Sequence, residues 1–278
     1  MEGKIAVVTG SNTGIGKETA RGLAKLGATV VLACRDAQKA ESARDDIART
    51  TGRSDVTVIP LDLGSAASIR AFAERFRAEH RRLDVLVNNA GVWPGTRITT
   101  REGFEATFGV NHLGTFLLTH ELLPVLRESA PARVVVLSSA LHYRGEMVWD
   151  DLQFERRKYS GSAAYNQSKL ANVLFTKALS RRLDRAGVTV NAVHPGVVAT
   201  ELGRDFPKWL FAVAKLFMIT PEQGAACSLH VATAPDTASV SGEYFEKSHT
   251  KKAARAALDE GAQEKLWELS VKLLGVTS

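Results

Sequence analysis

Short apolar runs alternate along the chain with longer segments whose apolar positions have helical spacing. Six of these runs have the β-branched composition of strands: residues 4–9, 29–34, 56–61, 83–87, 133–137 and 188–193. They are almost continuously apolar rather than alternating, which is typical of strands buried on both faces of a parallel sheet. The alternation of strands and helices predicts βαβ units with right-handed crossovers. We therefore expect an α/β fold, with helices on both faces of a doubly wound parallel sheet.

The segments between the strands indicate how the chain is organised. Gly27, Gly52 and Gly187 stand where helical segments are expected to end. No linker-like stretch interrupts the alternation, so we expect a single domain over residues 1–278. Two irregular segments, 141–161 and 195–220, directly follow predicted strands. They are expected to form the walls of a substrate cleft, because ligands of open α/β sheets bind outside the carboxyl ends of the strands.

Composition and charge narrow the classes of function. The chain has 36 Lys and Arg against 30 Asp and Glu, which gives a net charge of +6. Its basic residues are dispersed and not interleaved with aromatic residues, which argues against a nucleic-acid partner, whereas a modest positive surplus suits an anionic cofactor. The 7 His and 2 Cys have no metal-ligand spacing, so no metal site is expected. Cys34 lies in an apolar run and is expected to be a reduced core thiol.

The apolar stretches are too short for a transmembrane segment. The longest candidate, residues 209–219, contains Lys215 and has about half the length that a membrane-spanning helix needs. The chain also begins directly with a strand-like run rather than with a signal-peptide pattern. We therefore expect a cytoplasmic protein.

A glycine-rich turn, Thr9-Gly10-Ser11-Asn12-Thr13-Gly14-Ile15-Gly16, joins the first predicted strand to a helix. Gly10 permits a tight exit from the strand, Gly14 lets the backbone approach a pyrophosphate, and Gly16 lets the helix pack against the sheet. The N-terminus of the following helix offers free N–H groups and a positive dipole end to phosphates. The turn predicts dinucleotide binding, although glycines alone would also suit an ordinary turn.

The end of the second predicted strand bears on which dinucleotide is bound. Folds that prefer NAD usually place an acidic residue there for the ribose hydroxyls. In this chain the position is held by Cys34, and Arg35 and Asp36 follow it. A guanidinium can bind a 2′-phosphate through two parallel hydrogen bonds, so Arg35 favours NADP(H). NAD(H) stays open, because Arg35 could instead cover the adenine while Asp36 binds the ribose.

Tyr165 is the only one of the four tyrosines that has a lysine four residues later, at Lys169. Residues 162–185 are predicted to form one helix with Ser162 as its N-cap, so these two side chains share a face. A positive charge about 4 Å away at an effective dielectric of about 20 would lower the pKa of a phenol by roughly three units. The pair therefore predicts a general acid–base catalyst, whereas an isolated pair of this kind is more often a surface feature.

Polar side chains at the ends of neighbouring strands favour the catalytic interpretation. Ser138 and Ser139 end the fifth predicted strand, residues 88–91 end the fourth, and residues 194–196 end the sixth. Asn111 lies in the helical stretch that follows the fourth strand. These strand ends lie at one edge of a parallel sheet, as a shared active site requires.

Taken in order, these motifs resemble the short-chain dehydrogenase/reductase family over nearly the whole chain. The matches are T-G-x-x-x-G-I-G at 9–16, L-D-L at 61–63, N-N-A-G at 88–91, Asn111, S-S at 138–139, Y-x-x-x-K at 165–169 and H-P-G at 194–196. The runs at 12–19, 33–36, 168–172 and 194–198 are similar to the retinol dehydrogenase-like branch, which includes WW-domain oxidoreductases. The resemblance implies a Rossmann-type sheet of about seven strands in the order 3-2-1-4-5-6-7.

The resemblance also implies a role for each matched residue. Tyr165 is implied as the general acid–base, and Lys169 as the group that lowers its pKa and binds the nicotinamide ribose. Ser139 would bind the reacting oxygen, and Asn111 would hold a water that links Lys169 to solvent. The implied cofactor-binding residues are Gly10, Asn12, Thr13, Gly14, Ile15, Gly16, Arg35, Asp62, Leu63, Asn89, Ala90, Gly91, Tyr165, Lys169, Pro195, Gly196, Val198 and Thr200. Residues 1–140 would then mainly bind the dinucleotide, and residues 141–278 would carry the catalytic helix, a substrate lid and C-terminal helices.

The substrate is less well defined than the cofactor. Apolar residues between 206 and 217 form a helical stripe, which predicts either a lid over a lipophilic alcohol, aldehyde or ketone, or a packing surface against the sheet, a subunit or a membrane. The candidate substrate contacts are His142, Tyr143, Phe206 and Trp209, although His142 and Tyr143 could instead pack a loop. Members of this branch carry an N-terminal membrane anchor or WW modules, neither of which is found in this sequence, so the resemblance does not carry retinoid activity, membrane attachment or WW-type partner binding over to it.

Together these features predict an NADP(H)-dependent oxidoreductase that transfers hydride between nicotinamide and a small alcohol or carbonyl compound. The alternative is a protein on the same fold that senses NADP(H) or binds a partner without catalysis. The family resemblance also implies a homo-oligomer, either a dimer or a tetramer.

Overall fold

A single eight-stranded sheet forms the centre of the protein, in a computed structural model that describes residues 1–196 and 219–277. Its strands are β1 (Ile5–Thr9), β2 (Thr29–Cys34), β3 (Val56–Pro60), β4 (Val85–Asn88), β5 (Ala132–Leu137), β6 (Val188–His194), β7 (Tyr244–Glu246) and β8 (His249–Thr250). They lie in the order β3-β2-β1-β4-β5-β6-β7-β8. All neighbouring pairs are parallel except β7 and β8, which are antiparallel. The expected order is confirmed, and β8 is an addition to it.

Helices cover both faces of the sheet. Those of the described residues are α1 (Gly14–Lys25), α2 (Ala37–Thr51), α3 (Ala66–Glu79), α4 (Ala106–Phe108), α5 (Thr115–Glu128), α6 (Gly161–Arg182), α7 (Pro221–Thr233) and α8 (Glu260–Leu274). Successive residues of β1 belong to different apolar cores, Val7 with α3 and α5 and Val8 with α1 and α2. This follows because neighbouring side chains of a strand point to opposite faces, and it confirms strands that are buried on both sides.

None of the helices in the described ranges combines the length and the apolar character that crossing a bilayer requires.

The start of β4 differs slightly from the prediction, which placed it at residue 83. The strand begins at Val85, although the backbone N–H of Asp84 already donates to the Ile5 carbonyl oxygen at 2.9 Å. The Asp84 carboxylate accepts a hydrogen bond from the backbone N–H of Ile5 at 2.9 Å and pairs with Lys4 at 2.9 Å. The side chain that precedes β4 therefore fixes the start of β1.

Helix α6 carries Tyr165 and Lys169, as predicted, but its ends differ. Its N-cap is Ser160, whose Oγ accepts a hydrogen bond from the backbone N–H of Ala163 at 3.3 Å, so the expectation that Ser162 caps the helix is wrong. The helix ends at Arg182 rather than at residue 185. Arg185 already has a left-handed backbone, with a φ of 64°, and it turns the chain towards β6.

A π-helical turn, Gly109–Gly114, separates α4 from α5. Sequence periodicity predicts only a helix here, whereas the structure inserts a wider turn that contains Asn111. Single π turns inside helices are frequent at functional sites, because the extra residue lets one side chain leave the regular face of the helix.

Candidate active site

The carboxyl ends of β1 and β4 are joined by hydrogen bonds. The hydroxyl of Thr9 accepts bonds from the backbone N–H groups of Asn89 and Ala90, each at 2.9 Å. The Asn89 amide Nδ2 donates in return to the carbonyl oxygen of Thr9 at 2.7 Å and to that of Gly10 at 3.3 Å. The N-N-A-G segment therefore fixes the glycine-rich turn.

The glycine-rich turn has the geometry that a dinucleotide diphosphate needs. Gly10 and Gly14 have left-handed φ angles of 62° and 56°. A Cβ at Gly16 would lie 2.4 Å from Asn89 Nδ2 and 2.5 Å from the carbonyl oxygen of Gly10, so only glycine lets α1 start this close to the sheet. The N-cap of α1, Thr13, makes no capping hydrogen bond through its side chain. The first N–H groups of α1 can therefore bind phosphate oxygens, and the turn fits this class of cofactor.

The three residues around the end of β2 have distinct environments. Cys34 is buried, its Sγ lies 3.4 Å from Ser11 Oγ, and burial raises the pKa of the thiol. Asp36 caps α2, with its Oδ1 accepting a hydrogen bond from the backbone N–H of Lys39 at 3.0 Å. Arg35 is exposed, and its guanidinium has no hydrogen bond or ion pair with any other described residue. Arg35 is thus the cation that is available for a phosphate at this position.

Two further candidate cofactor residues, Asp62 and Leu63, follow β3. The Asp62 carboxylate accepts a hydrogen bond from the backbone N–H of Gly64 at 2.9 Å, which holds the loop in a tight turn. Leu63 is buried against the π-helical turn, where a Cβ at Gly114 would lie 2.3 Å from the Leu63 carbonyl oxygen. This close contact packs the π-helical turn that contains Asn111 against the loop after β3.

Tyr165 and Lys169 are both buried on α6, and Lys169 Nζ lies 5.3 Å from the centre of the phenol ring. The ammonium donates a hydrogen bond to the carbonyl oxygen of Leu137 at 3.1 Å. Burial raises the pKa of Tyr165 and lowers the pKa of Lys169 to about 8. The direction for Tyr165 is opposite to the expectation that Lys169 lowers the pKa of the phenol, and its cause is the desolvation of the buried ring.

Asn111 connects three parts of the site. Its Oδ1 accepts a hydrogen bond from the backbone N–H of Val92 at 2.7 Å, and its Nδ2 donates to the Val92 carbonyl oxygen at 3.0 Å. The same Nδ2 donates to Ser168 Oγ at 3.0 Å. A Cβ at Gly91 would lie 3.4 Å from Asn111 Oδ1 and 3.6 Å from Lys169 Nζ. Gly91, Asn111 and Lys169 therefore lie close together, while the water assigned to Asn111 stays a prediction.

Ser139 follows β5 and caps a 3₁₀ turn, Ala140–Arg144, with its Oγ accepting a hydrogen bond from the backbone N–H of Leu141 at 3.2 Å. Among the residues that the structure describes, no hydrogen bond joins Ser139 Oγ to the Tyr165 hydroxyl. His142 is fully buried, and both of its ring nitrogens bond to backbone groups. Of the two interpretations left open for His142, the structure therefore supports packing of the loop rather than contact with substrate. Tyr143 is exposed and donates to the carbonyl oxygen of Lys252 at 2.6 Å.

The nicotinamide end of the expected site is described only in part. Pro195 and Gly196 directly follow β6, and Gly196 has a left-handed φ of 94°. A Cβ at Gly196 would meet Ile219 Cδ1 at 2.6 Å. The other expected residues, Val198, Thr200, Phe206 and Trp209, lie outside the described residues, so the lid over the substrate stays a prediction.

Trp93 is a site residue that the sequence analysis missed. Its ring stacks on that of Tyr165, with the ring centres 4.3 Å apart and the planes inclined by 10°. The available signal was an aromatic residue two positions after N-N-A-G, in the loop that leaves β4 at the active edge of the sheet.

The chain is similar to known proteins over nearly its whole length. The family model described as short chain dehydrogenase matches residues 4–210. Retinol dehydrogenase 12 of Mus musculus is 50% identical to this chain over 278 residues, and the match covers 99% of this chain and 88% of that protein.

Two solved structures extend the similarity to three dimensions. A crystal structure of a protein from Mycobacterium paratuberculosis has a TM-score of 0.82 and 36% identity, and the match covers 99% of this chain and 94% of that chain. The NADP active-site complex of RhlG from Pseudomonas aeruginosa has a TM-score of 0.70 and 29% identity, covering 88% of this chain and 94% of that chain.

Proposed function

This chain belongs to the short chain dehydrogenase family and is an oxidoreductase of CH–OH and C=O groups, and we propose that it uses NADP(H) to interconvert a lipophilic alcohol and its carbonyl compound. In this proposal Tyr165 exchanges the proton with the reacting oxygen. The observation that carries it is the buried arrangement of Tyr165, Lys169 and Asn111 beside the glycine-rich turn.

The environment of Tyr165 suits a proton donor. Burial raises the pKa of Tyr165, so the phenol is neutral and holds its proton at pH 7. In carbonyl reduction it would give that proton to the substrate oxygen and become a phenolate. Lys169 Nζ, at 5.3 Å from the ring centre, would stabilise this phenolate by roughly 3 kcal/mol at an effective dielectric of about 20. The lysine thus acts on the charge that develops during the reaction rather than on the resting phenol.

NADP(H) fits the residues of the turn and the end of β2. When bound, its nicotinamide supplies or accepts the hydride, and its oxidised form adds a positive charge to that of Lys169. The N-terminus of α1 would bind the diphosphate, and Lys169 would bind the nicotinamide ribose. Arg35 would bind the 2′-phosphate, while Asp36 is already used as the cap of α2 and is less available for a ribose. The similar RhlG structure is a complex with NADP, which supports the same preference.

The similarity to a retinol dehydrogenase supports a lipophilic primary alcohol, or the matching aldehyde, as the substrate class. The candidate lid residues Phe206 and Trp209 would provide apolar contacts for such a compound. We also propose that the protein assembles as a homodimer or homotetramer, as the family resemblance implies.

The test is NADPH oxidation by the purified protein over a panel of aldehydes and ketones that includes retinal. Tyr165→Phe keeps the ring and its stacking but removes the proton. We expect this variant to lose turnover by a factor of about 100 or more and to retain NADPH affinity. Turnover close to that of the wild type in Tyr165→Phe would contradict the proposed role of Tyr165. Equal use of NADH and NADPH would contradict the cofactor preference.

A further inference from the structure

Trp93 closes one face of the ring that carries the reacting hydroxyl. The indole and the phenol of Tyr165 are nearly parallel, inclined by 10°, with their centres 4.3 Å apart. At this distance the two rings are in van der Waals contact, so neither a substrate nor water fits between them. A compound that reaches the Tyr165 hydroxyl therefore cannot approach it across this face of the phenol.

The backbone on both sides of Trp93 is fixed. Before it, Asn111 makes two hydrogen bonds to the backbone of Val92, at 2.7 and 3.0 Å. After it, Pro94 restricts Trp93 to an extended conformation. The Pro94 carbonyl oxygen packs on the start of α6, where a Cβ at Gly161 would approach it to 2.6 Å. Trp93 is therefore held between the π-helical turn and the first turn of α6, one turn before Tyr165.

A fixed wall beside the hydroxyl has a consequence for substrate shape. A carbonyl oxygen that bonds to the Tyr165 hydroxyl brings both substituents of its carbon close to the phenol, and the indole already covers one face of that ring. An aldehyde can place hydrogen on that side, whereas a ketone must place carbon there. An indole has only two side-chain torsions and is stacked here, so it does not move aside without losing that contact.

We propose that Trp93 is the specificity-determining wall of the substrate site and that it favours aldehydes and primary alcohols over ketones and secondary alcohols. This inference rests on the proposed oxidoreductase function of the same site. Trp93 also shields Tyr165 from water, and this shielding contributes to the burial that raises the pKa of the phenol. Removal of the indole is therefore expected to admit water to the ring as well as bulkier substrates.

The first measurement compares kcat/KM for a linear aldehyde with that for its methyl ketone, which differ by one methyl group. One methyl group in a shaped pocket changes discrimination roughly 10- to 200-fold. We expect Trp93→Ala to reduce the aldehyde preference by about tenfold or more, mainly through the KM and kcat of the ketone. Trp93→Phe, which can still stack on Tyr165, should keep most of the preference. The matched control is Trp149→Ala. Trp149 is half-buried like Trp93, but its ring lies 4.8 Å from Lys265 Nζ rather than against Tyr165.

The second measurement needs no turnover. Absorbance titration of the phenol, with the Tyr165→Phe protein as the reference, should give a lower pKa for Tyr165 in Trp93→Ala than in the wild type, and an unchanged pKa in Trp149→Ala. A wild-type protein that reduces neither compound would refute the proposed function, and the titration would still decide whether Trp93 covers Tyr165. The inference on Trp93 is overturned by an unchanged aldehyde preference in Trp93→Ala, or by an equal loss for aldehyde and ketone in both Trp93 variants.

Discussion

His142 donates a hydrogen bond from Nδ1 to the carbonyl oxygen of Ser139 at 2.7 Å, while its Nε2 accepts one from the backbone N–H of Ala254 at 3.1 Å. The backbone donor at Nε2 requires the neutral tautomer that carries its proton on Nδ1. Through this neutral ring, the segment before α8 holds the residue that is expected to bind the reacting oxygen.

Replacement of His142 by Phe should therefore impair both stability and turnover. The Ala254 N–H would lose its partner in a buried place, at a cost of about 1–3 kcal/mol, whereas the Ser139 carbonyl would keep only the backbone N–H of residue 142, at 3.0 Å. We expect kcat for carbonyl reduction to fall while NADPH affinity changes little, as measured by steady-state kinetics and urea unfolding. Tyr143→Phe is the control, because it removes a hydrogen bond from an exposed neighbour. An unchanged kcat in His142→Phe would show that Ser139 needs no such support.

The buried ammonium of Lys169 should reduce the stability of the cofactor-free protein. Burial lowers its pKa from 10.5 to about 8, which corresponds to roughly 3 kcal/mol of destabilisation at pH 7. Lys169→Met should therefore abolish turnover and raise the free energy of unfolding at pH 7. The Leu137 carbonyl keeps a partner in this variant, since Asn172 also donates to it at 3.0 Å.

The increase in the free energy of unfolding that Lys169→Met produces should become smaller as the pH rises. Below about pH 8 Lys169 is protonated in the folded protein, and the full difference in the free energy of unfolding between Lys169→Met and the wild type is present. Between about pH 8 and 10.5 the folded protein binds fewer protons than the unfolded chain, so the wild type becomes more stable with rising pH and the gain disappears. Urea unfolding at pH 7 and 10 checks this, with Lys177→Met of the same helix as the control. A stability gain that stays constant over this pH range would contradict the lowered pKa of Lys169.

Gly16 should not tolerate a side chain. A Cβ there would overlap the Gly10 carbonyl oxygen at 2.5 Å, and backbone cannot move aside as a flexible side chain can. We expect Gly16→Ala to lower stability by roughly 1–3 kcal/mol and to remove measurable NADPH binding. Gly95→Ala is the matched control, because a Cβ at Gly95 meets nothing within 4 Å. Calorimetric titration with NADPH separates the two variants, and normal binding by Gly16→Ala would contradict the role of the turn.

Substitutions of Arg35 and of Asp36 should have different effects on cofactor binding. Loss of a charge-assisted contact worth about 1.5–3 kcal/mol would raise the KM for NADPH roughly 10- to 100-fold in Arg35→Ala, with little change for NADH. Asp36→Ala removes the cap of α2 and should cost about 1 kcal/mol of stability without a change in cofactor preference. A change in the KM for NADH in Asp36→Ala would instead favour the interpretation that Asp36 binds the ribose.

The strand pattern and the motif positions could be predicted because they depend on local chemistry. The apolar runs are buried on both faces, as in β1, and the glycine positions follow from backbone constraints near Gly10 and Gly16. The shared face of Tyr165 and Lys169 follows from helical spacing alone. These features depend on residues that are close in sequence.

The remaining features depend on contacts between distant segments. The stacking of Trp93 on Tyr165 joins a loop after β4 to α6, and the bonds of His142 join Ser139 to Ala254. The pKa of Tyr165 has the opposite direction to the sequence-based estimate, because that estimate included a nearby charge but not the desolvation of a fully buried ring. Burial cannot be derived from the spacing of two residues.

The π-helical turn at Gly109–Gly114 sets how Asn111 is rotated about the helix axis relative to the core-facing leucines of α5. Removal of a single residue from it would restore ordinary winding and rotate everything on one side by roughly 100° relative to the other. Either the Asn111 amide would leave Val92 and Ser168, or the leucines of α5 would turn out of the core. Insertion or deletion of a residue is therefore tolerated less well in this turn than in the loops, even where Asn111 and the leucines themselves are retained.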